Sequence, residues 1–270
     1  MKTYKHPCRL SMKDEFYRIH FTSVNSKFTF DNFIESDCNK VAQIASQQSV
    51  NCEENVLYNP LLILGNIGTG KTHLSNAIYN DFQKRFEECH VFITTGYYFH
   101  QHYHCAVQQS NKKDFFKFYK KQDILIIDDI DYLIGKDATC TALVQIIDDF
   151  VGLQKQIVLT ADMPFIEPFS RNKKLNSRVW GGAIVQLHEP SMDLKIKLLK
   201  LKLENSNVAI SDESLSYIAE HLISDIRKLE GCINTIVLHA SILNQEVDIE
   251  FINSIYPITD IEIHKILETL

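Results

Sequence analysis

The chain has 270 residues, of which 45% are hydrophobic and 23% charged, and these proportions are typical of a globular protein with one or two packed domains. Its formal net charge of −6 disfavours a dedicated duplex-DNA-binding protein, because such proteins carry a basic excess that displaces counterions from phosphates. No apolar run approaches the roughly 20 residues of a membrane-spanning helix, and the first residues lack the apolar segment of a signal peptide, so we expect a cytoplasmic protein without a membrane span.

The first sixty residues precede the strongest signal. Residues 1–28 mix charged and aromatic residues without a regular period, and we expect them to form an arm outside the main domain. Apolar spacing from Cys38 to Val50 predicts a helix, and the polar stretch 51–60 predicts a loop. Leu61–Leu64 is a short apolar run that predicts a buried strand.

A glycine-rich octet follows that strand directly. Residues 65–72 have the spacing G-x-x-x-x-G-K-T of a phosphate-binding loop, in which backbone N–H groups and the N-terminus of the next helix surround phosphate oxygens. Lys71 would contact the β- and γ-phosphates, and Thr72 would offer a hydroxyl to Mg²⁺. An ordinary strand–turn–helix with glycines for tightness is the alternative, and it leaves the full octet unexplained. The predicted nucleotide contacts are Asn66, Ile67, Gly68, Thr69, Gly70, Lys71, Thr72 and His73.

A second apolar run, Ile124–Ile127, ends in two carboxylates, Asp128 and Asp129. Four consecutive branched apolar residues indicate a strand buried on both faces. In a phosphate-loop protein such a strand lies beside the first, so Asp128 would hold Mg²⁺ and Asp129 would orient or deprotonate the attacking water. A strand that ends in a solvated acidic turn is the alternative, and the upstream octet disfavours it.

Strands and helices alternate as far as residue 187. Helices are predicted over Lys71–Glu88, in two pieces over 96–121, and over Thr139–Gly152. Further strands are predicted at Val91–Thr95, Gln156–Ala161 and Ala183–Leu187. Asp162 follows the second of these strands, at the edge of a parallel sheet where ligands bind. The alternation predicts an α/β fold with a mostly parallel sheet flanked by helices.

After Pro190 only helical patterns remain, which predicts a second, small all-helical domain. Candidate N-caps of its three helices are Ser191, Ser211 and Ser224. Their apolar stripes include Leu215, Ile218, Ala219 and Leu222 on the second helix, and Ile226, Leu229, Ile233, Ile236, Ala240 and Leu243 on the third. Arg227 would be the third residue of the last helix, where the dipole disfavours a cation unless a phosphate is bound nearby; a solvated arginine without a role is the alternative. We therefore expect an arm at 1–28, an α/β domain at 29–189 and a helical domain at 190–270.

His100, His102, His104 and Cys105 together suggest a metal site. In a helix only His100 and His104 share a face, and no carboxylate or cysteine pair completes a ligand set, so a polar, solvated helix face is the preferred interpretation. The seven cysteines of the chain include no C-x-x-C pair, which indicates reduced thiols rather than a disulfide framework.

Several stretches, taken in order, resemble the nucleotide-binding part of the bacterial replication initiator DnaA, an AAA+ ATPase. The matching stretches, which extend over about residues 28–255, are Phe28–Phe33, Tyr58–Leu61, Gly68–Leu74, Leu125–Ile130, Ser177–Arg178 with Trp180–Gly181, and Ile226–Gly231. The resemblance implies an AAA+ P-loop NTPase fold in which a parallel five-stranded sheet is followed by a small helical lid.

The resemblance also implies roles for three further residues. Asp162 corresponds to the first sensor beside the γ-phosphate, and Arg227 to the second sensor, which reaches that phosphate from the lid. Arg178 corresponds to the arginine finger, which contacts ATP bound to a neighbouring subunit. The family therefore implies ATP-dependent self-assembly with ADP as the released state, together with slow hydrolysis that acts as a timer.

The sequence departs from the family where DNA is concerned. Thr259–Leu270 resembles the first helix of the helix-turn-helix domain that reads duplex sites, and the chain then ends, so sequence-specific duplex binding is not expected. In the region that grips single-stranded DNA, Lys136 matches the family, whereas Ala138 stands where arginine is expected. Lys174, before the finger, also replaces an arginine. We expect single-strand binding to be weakened.

Three hypotheses follow. The first is an ATP-switched assembly protein in the initiation of DNA replication, either a truncated initiator or a regulator that docks on full-length DnaA through Arg178. The second is an adaptor that loads a helicase or a transposase, with residues 1–28 as its docking element. The third is a nucleotide-binding relic without hydrolysis, which the presence of Lys71, Asp128, Asp129 and Arg227 disfavours.

Overall fold

The computed structural model describes residues 24–50, 58–86, 89–163, 172–204, 206, 208–221 and 225–257. These residues divide into two compact units. The first unit contains the described residues up to Phe33 together with those in Asn39–Asn66 and Gly70–Leu187. The second unit contains Ile34–Cys38, Ile67–Thr69 and the described residues from His188 onward. Leu222, Ser224 and the stretches 1–23 and 258–270 lie outside the described residues, so the interpretations that concern them remain predictions.

A five-stranded sheet forms the centre of the first unit, and all its strand pairs are parallel. The strands are β1 (Leu61–Gly65), β2 (Val91–Thr95), β3 (Ile124–Asp128), β4 (Gln156–Asp162) and β5 (Ala183–Leu187), in the spatial order β2-β3-β4-β1-β5. The register places Gly65 beside Asp162, and Thr95 beside Asp128. The predicted five-stranded parallel sheet is thus confirmed. The prediction that the acidic strand β3 lies beside the phosphate-loop strand β1 is wrong, because β4 pairs with both and lies between them.

Helices cover both faces of the sheet because its strands are apolar on both sides. The helices of this unit are α1 (Lys40–Gln48), α2 (Lys71–Arg85), α3 (Gly96–Gln108), α4 (Lys112–Lys120), α5 (Asp137–Gly152) and α6 (Lys173–Trp180), with a short 3-10 helix at Ile130–Leu133. Alternate residues of β1 enter different cores: Leu62 and Leu64 pack with Phe150, whereas Leu61 and Ile63 pack with Phe82. Two buried layers therefore hold the C-terminal edge of the sheet in place.

The histidine-rich helix α3 contradicts the interpretation of a wholly solvated face. His102 is 3% exposed and Cys105 is fully buried, because α4 supplies an aromatic surface against them. The ring nitrogen Nδ1 of His102 lies 3.2 Å from the hydroxyl of Tyr119, so these two buried polar groups are hydrogen-bonded. No group of three or more potential metal ligands occurs among the described residues.

The second unit is helical in its C-terminal part. Its helices are α7 (Met192–Leu203), α8 (Asp212–His221), α9 (Ile226–Leu243) and α10 (Ile249–Ile255). The hydroxyls of Ser191 and Ser211 accept from the backbone N–H groups of Leu194 and Ser214, as predicted for N-caps. Their common core contains Leu215, Ile218, Ala219, Leu229, Ile233, Ile236 and Ala240.

Two details of α9 differ from prediction. Its N-cap is Asp225, whose carboxylate accepts from the N–H of Lys228 at 2.8 Å, so Arg227 is the second helical residue rather than the third. Leu243 is 57% exposed and does not extend the buried stripe, because the helix ends at this residue. None of the helices in the described part of the chain is long and apolar enough to cross a membrane.

Candidate functional site

The turn between β1 and α2 has a backbone that favours glycine. Gly68 and Gly70 have φ values of 77° and 106°, which lie in the left-handed region that side chains with a Cβ rarely adopt. Gly70 is also the residue before α2, and a Cβ added there would lie 3.1 Å from the ring of Phe33. The turn therefore needs glycine at these positions for both conformation and space.

Lys71, the first residue of α2, is almost completely buried, with 5% of its surface exposed. Its Nζ donates to the carbonyl oxygens of Gly65 and Asn66, each at 2.9 Å, and lies 2.6 Å from Oδ1 of Asp162. A buried ammonium is costly unless it is paired and hydrogen-bonded, and all three contacts compensate that cost. The same ammonium is the group that a phosphate would attract.

Asp128, the last residue of β3, is the acceptor of three hydroxyl groups. Thr72 donates to Oδ2 at 2.9 Å, while Ser75 and Thr160 donate to Oδ1 at 3.3 and 2.5 Å. Asp128 is only 4% exposed, so these bonds replace the water that a carboxylate would otherwise require. The pairing of Thr72 with Asp128 agrees with the predicted neighbourhood, whereas Ser75 and Thr160 were not predicted.

Asp129 follows Asp128 in a left-handed conformation, with φ of 55°. Its backbone N–H donates to Oγ1 of Thr160 at 2.9 Å, and a Cβ added at Gly96 would lie 2.4 Å from its carbonyl oxygen. Partial burial is the main cause that raises the pKa of Asp129 to about 6, and the neighbouring carboxylates of Asp128 and Asp131 raise it further. Contacts with residues distant in sequence therefore fix the backbone of Asp129, and its surroundings raise its pKa.

Asp162, at the end of β4, has a partner that was not predicted. Its backbone N–H donates to Oδ1 of Asp131 at 3.2 Å, while its carboxylate pairs with Lys71. Asp131, in the 3-10 helix after β3, therefore connects the ends of two neighbouring strands. Its place two residues after Asp129 was the available sequence signal, but its partner depends on the register of β4.

His73, in the first turn of α2, contacts residues 28–33, which precede α1. Its ring stacks on Phe28 at 4.6 Å between centroids and meets the edge of Phe33 at 5.1 Å. Its Nε2 lies 3.0 Å from the carbonyl oxygen of Thr29. The side chains of Asn76 and Asn80 add hydrogen bonds to the backbone of Asn25. His73 thus holds residues 28–33 next to the glycine turn.

The remaining predicted nucleotide contacts differ in exposure. Ile67 is 62% exposed and Thr69 is 5% exposed, both at the tip of the turn. Arg178 bonds to none of the described residues of the cluster around Lys71. Arg178 lies on α6 and pairs with Asp148 of α5, while Arg227 is an exposed residue of α9. Lys71, Thr72, Asp128, Asp129 and Asp162 are brought together as predicted.

Comparison with known proteins gives consistent results. The family model for the bacterial DnaA ATPase domain matches residues 24–186. The chromosomal replication initiator protein DnaA of Flavobacterium psychrophilum is 33% identical over 229 residues, which are 85% of this chain and 48% of that protein. Domain III of the Thermotoga maritima replication initiation protein DnaA is 28% identical, with a TM-score of 0.77 over 87% of this chain and 98% of that one.

A further solved structure, the replication initiator DnaA bound to AMPPCP and single-stranded DNA, is 31% identical. Its TM-score is 0.73 over 80% of this chain and 66% of that one. The chain spans about half the length of the curated relatives that it matches.

Proposed function

The chain belongs to the bacterial DnaA ATPase domain family, and from this premise we propose that it is a DnaA-like AAA+ protein that binds and slowly hydrolyses ATP. It would act in the initiation of DNA replication or in the regulation of that step. The observation that carries the proposal is the contact of Thr72 with Asp128 beside the buried, paired Lys71. A glycine turn, a lysine, a hydroxyl and a carboxylate in this arrangement form the parts of a phosphate and Mg²⁺ site.

Lys71 and the glycine turn would bind the phosphates. The ammonium already contacts two carbonyl oxygens and one carboxylate, so a phosphate that displaces Asp162 would exchange one anion for another without leaving the charge unpaired. The positive φ values of Gly68 and Gly70 suit a backbone whose N–H groups surround an anion. AMPPCP in the related DnaA structure supports adenine nucleotides as the ligands, and we propose ATP and ADP.

The residues at the end of β3 fit Mg²⁺. Protein sites for this ion in nucleotide enzymes use one or two protein oxygens with phosphates and water, and the Thr72 hydroxyl and the Asp128 carboxylate provide such a pair. When bound, the ion would neutralise charge on the β- and γ-phosphates. The three hydroxyl groups that donate to Asp128 keep its carboxylate oxygens oriented.

Asp129 would serve as the base that orients or deprotonates the attacking water. With a pKa of about 6, the carboxyl group of Asp129 is ionised at neutral pH. Its pKa also lies closer to neutral pH than that of an ordinary carboxyl group, as efficient general base catalysis requires. Asp162 would act as the first sensor, because it already contacts the lysine that would hold the γ-phosphate.

The two arginines would make ATP a switch for self-assembly. Arg227 is exposed at the start of α9, where a cation opposes the helix dipole, and a bound γ-phosphate would reverse that penalty. The side chain of Arg178 is 47% exposed on α6, so its guanidinium could reach ATP held by a second copy of the chain or by full-length DnaA. ATP would then favour the assembled state and ADP the released one.

Calorimetry of the purified chain with Mg²⁺-ATP tests the proposal. We expect saturable binding that Lys71→Ala abolishes, and light scattering that increases with ATP but not with ADP. Lys136→Ala is a matched control, since it removes a partly exposed lysine of the same unit. Absence of binding by the folded wild-type chain would refute the proposal.

A second candidate activity, single-stranded DNA binding, is favoured by one surface of the first unit. The exposed rings of Tyr97 and Tyr132 pack edge to face at 5.3 Å, and the Nζ of Lys136 lies 3.9 Å above the Tyr132 ring. Aromatic faces next to a cation are suited to stacking bases and binding the backbone of a single strand. The related DnaA structure with bound single-stranded DNA supports the same ligand class.

Fluorescence anisotropy with a labelled oligothymidylate tests this second activity. Tyr132→Ala should weaken binding by about tenfold, since stacking contributes roughly 1–3 kcal/mol per base. Tyr58→Ala, which removes a tyrosine of comparable exposure outside this surface, should have no effect. Equal losses in both variants would contradict the assignment.

A further inference from the structure

The ion pair between Asp148 and Arg178 has two points of contact. The Nε–H of Arg178 donates to Oδ1 of Asp148 at 2.5 Å, and Nη2 lies 3.4 Å from Oδ2. Both side chains are about half exposed, at 47% and 49%. Exposed ion pairs contribute little to the free energy of unfolding, so stabilisation of the fold does not account for this contact.

The backbone on both sides of the pair is rigid. Leu175 and Val179 on α6 are fully buried and share a core with Ile147 and Phe150 on α5. The start of α6 is capped by Asn172, whose side chain accepts from the N–H of Leu175 at 3.1 Å. The packing of α5 against α6 therefore fixes the distance between the backbones of Asp148 and Arg178.

The geometry leaves part of the guanidinium for another ligand. Asp148 uses the edge formed by Nε and Nη2, whereas no bond from Nη1 is found within the described part of the chain. A guanidinium is planar and its donors form a fixed fork, so a carboxylate on one edge determines the direction of the other. The hydrogen bond and charge of Asp148 also raise the pKa of Arg178, whose guanidinium is cationic at any working pH.

We infer that Asp148 is a positioning residue, which orients the free edge of Arg178 toward the γ-phosphate of ATP bound to a second copy of the chain. The inference rests on the proposed function, because it requires that Arg178 acts between subunits. Asp148 itself touches no nucleotide in this scheme. It reduces the number of orientations that Arg178 must lose on assembly.

The neighbouring residue supplies a matched control. Asp149 lies on the same helix, and its carboxylate pairs with Lys120 at 3.4 Å rather than with Arg178. Asp148→Asn and Asp149→Asn are the same chemical change, one residue apart, at exposed or partly exposed positions. Both variants keep the shape of the side chain, so neither is expected to prevent folding.

A two-component assay distinguishes positioning from a general structural effect. One component carries Arg178→Ala and can hold ATP, and the other carries Lys71→Ala and can supply only Arg178. Thr72→Ala replaces Lys71→Ala if that variant does not fold. Hydrolysis and ATP-dependent light scattering of the mixture then report only the interface at which the second component supplies Arg178 to ATP held by the first.

Asp148→Asn in the component that supplies Arg178 should reduce both signals by about tenfold, since misorientation of a contacting group weakens its interaction at the reacting centre. The same substitution in the component that holds ATP should change neither signal, nor should Asp149→Asn in either one. Equal losses from both components, no loss, or a gain would each overturn the inference.

The failure of the proposed function gives a different result. If the wild-type chain takes up no Mg²⁺-ATP in calorimetry, the proposed function fails and the inference with it. If the wild type binds ATP and assembles but the mixed components show no signal, Arg178 does not act between subunits, and the role of Asp148 is refuted while ATP binding stands.

Discussion

The hydroxyl of Thr160 donates to Oδ1 of Asp128 at 2.5 Å and accepts from the backbone N–H of Asp129 at 2.9 Å. A single side chain on β4 thus orients two consecutive acidic residues at the end of β3. One of these is the proposed metal ligand and the other the proposed base, so Thr160 connects the two roles through hydrogen bonds.

Thr160→Val should impair hydrolysis more than nucleotide binding. The variant has the same shape but loses the bond to a carboxylate, which is typically worth about 1.5–3 kcal/mol. We expect kcat to fall by about tenfold or more with a much smaller change in Kd, and Thr160→Ser to restore most of the rate. Steady-state kinetics and calorimetry measure the two quantities, and an unchanged kcat would contradict the role of Thr160.

The hydrolysis rate should depend on pH through Asp129. Its pKa is raised from 3.8 to about 6, so a base that must be ionised becomes protonated as the pH falls through this value. The rate should decrease by about tenfold for each pH unit below 6, and Asp129→Asn should remove this dependence together with most of the activity. A rate that stays constant between pH 7 and 5 would exclude Asp129 as the base.

The same shift has a consequence for stability with a definite sign. The folded state holds a proton that the unfolded state has lost between pH 3.8 and about 6, so this group favours folding at low pH and loses that contribution as the pH rises through about 6. Asp129→Asn should therefore have a higher Tm than the wild type at pH 7.5, and the difference should shrink near pH 4. Thermal denaturation at the two pH values measures it.

Gly70→Ala should destabilise the protein even without nucleotide. Its φ of 106° is unfavourable for residues with a Cβ, and the new methyl group would lie 3.1 Å from the Phe33 ring. We expect a loss of about 1–2 kcal/mol in the free energy of unfolding and strongly reduced ATP binding. Gly152→Ala provides a control, since nothing lies within 4 Å of a Cβ there. Comparable losses in both variants would contradict the reasoning.

His73→Leu should release residues 28–33 from α2. The variant loses the contact with the carbonyl of Thr29 and the stacked arrangement with Phe28. Amide hydrogen exchange across this stretch should become faster by about tenfold, which corresponds to roughly 1.4 kcal/mol. His104→Leu, on the exposed face of α3, should leave the exchange unchanged. Unaltered protection in His73→Leu would show that other contacts hold the stretch.

Local signals in the sequence were sufficient for the central sheet and for the main members of the site. The octet at 65–72 combines a turn, a lysine and a hydroxyl within eight consecutive residues, and Ile124–Ile127 is apolar on both faces. Each of these two patterns depends on chain spacing alone, so the sequence identified Lys71 with Thr72 and Asp128 with Asp129. The contact between the two pairs follows from the parallel sheet, which brings the ends of its strands to one edge. The caps Ser191 and Ser211 followed from the same kind of short-range pattern.

Other features depend on which segments become neighbours in space. The partners of Asp128 and Asp162 follow from the register of β3 and β4, and a shift of one residue would turn Thr160 to the opposite face of the sheet. His102 is buried because α4 supplies an aromatic surface, and the orientation of Arg178 depends on Asp148, thirty positions away on another helix. The sequence alone therefore determined which groups could perform the chemistry, because each pair of them, Lys71 with Thr72 and Asp128 with Asp129, belongs to a short local pattern. Only the tertiary structure decided which carboxylates and hydroxyls orient them, because those distances are set by packing between segments far apart in sequence.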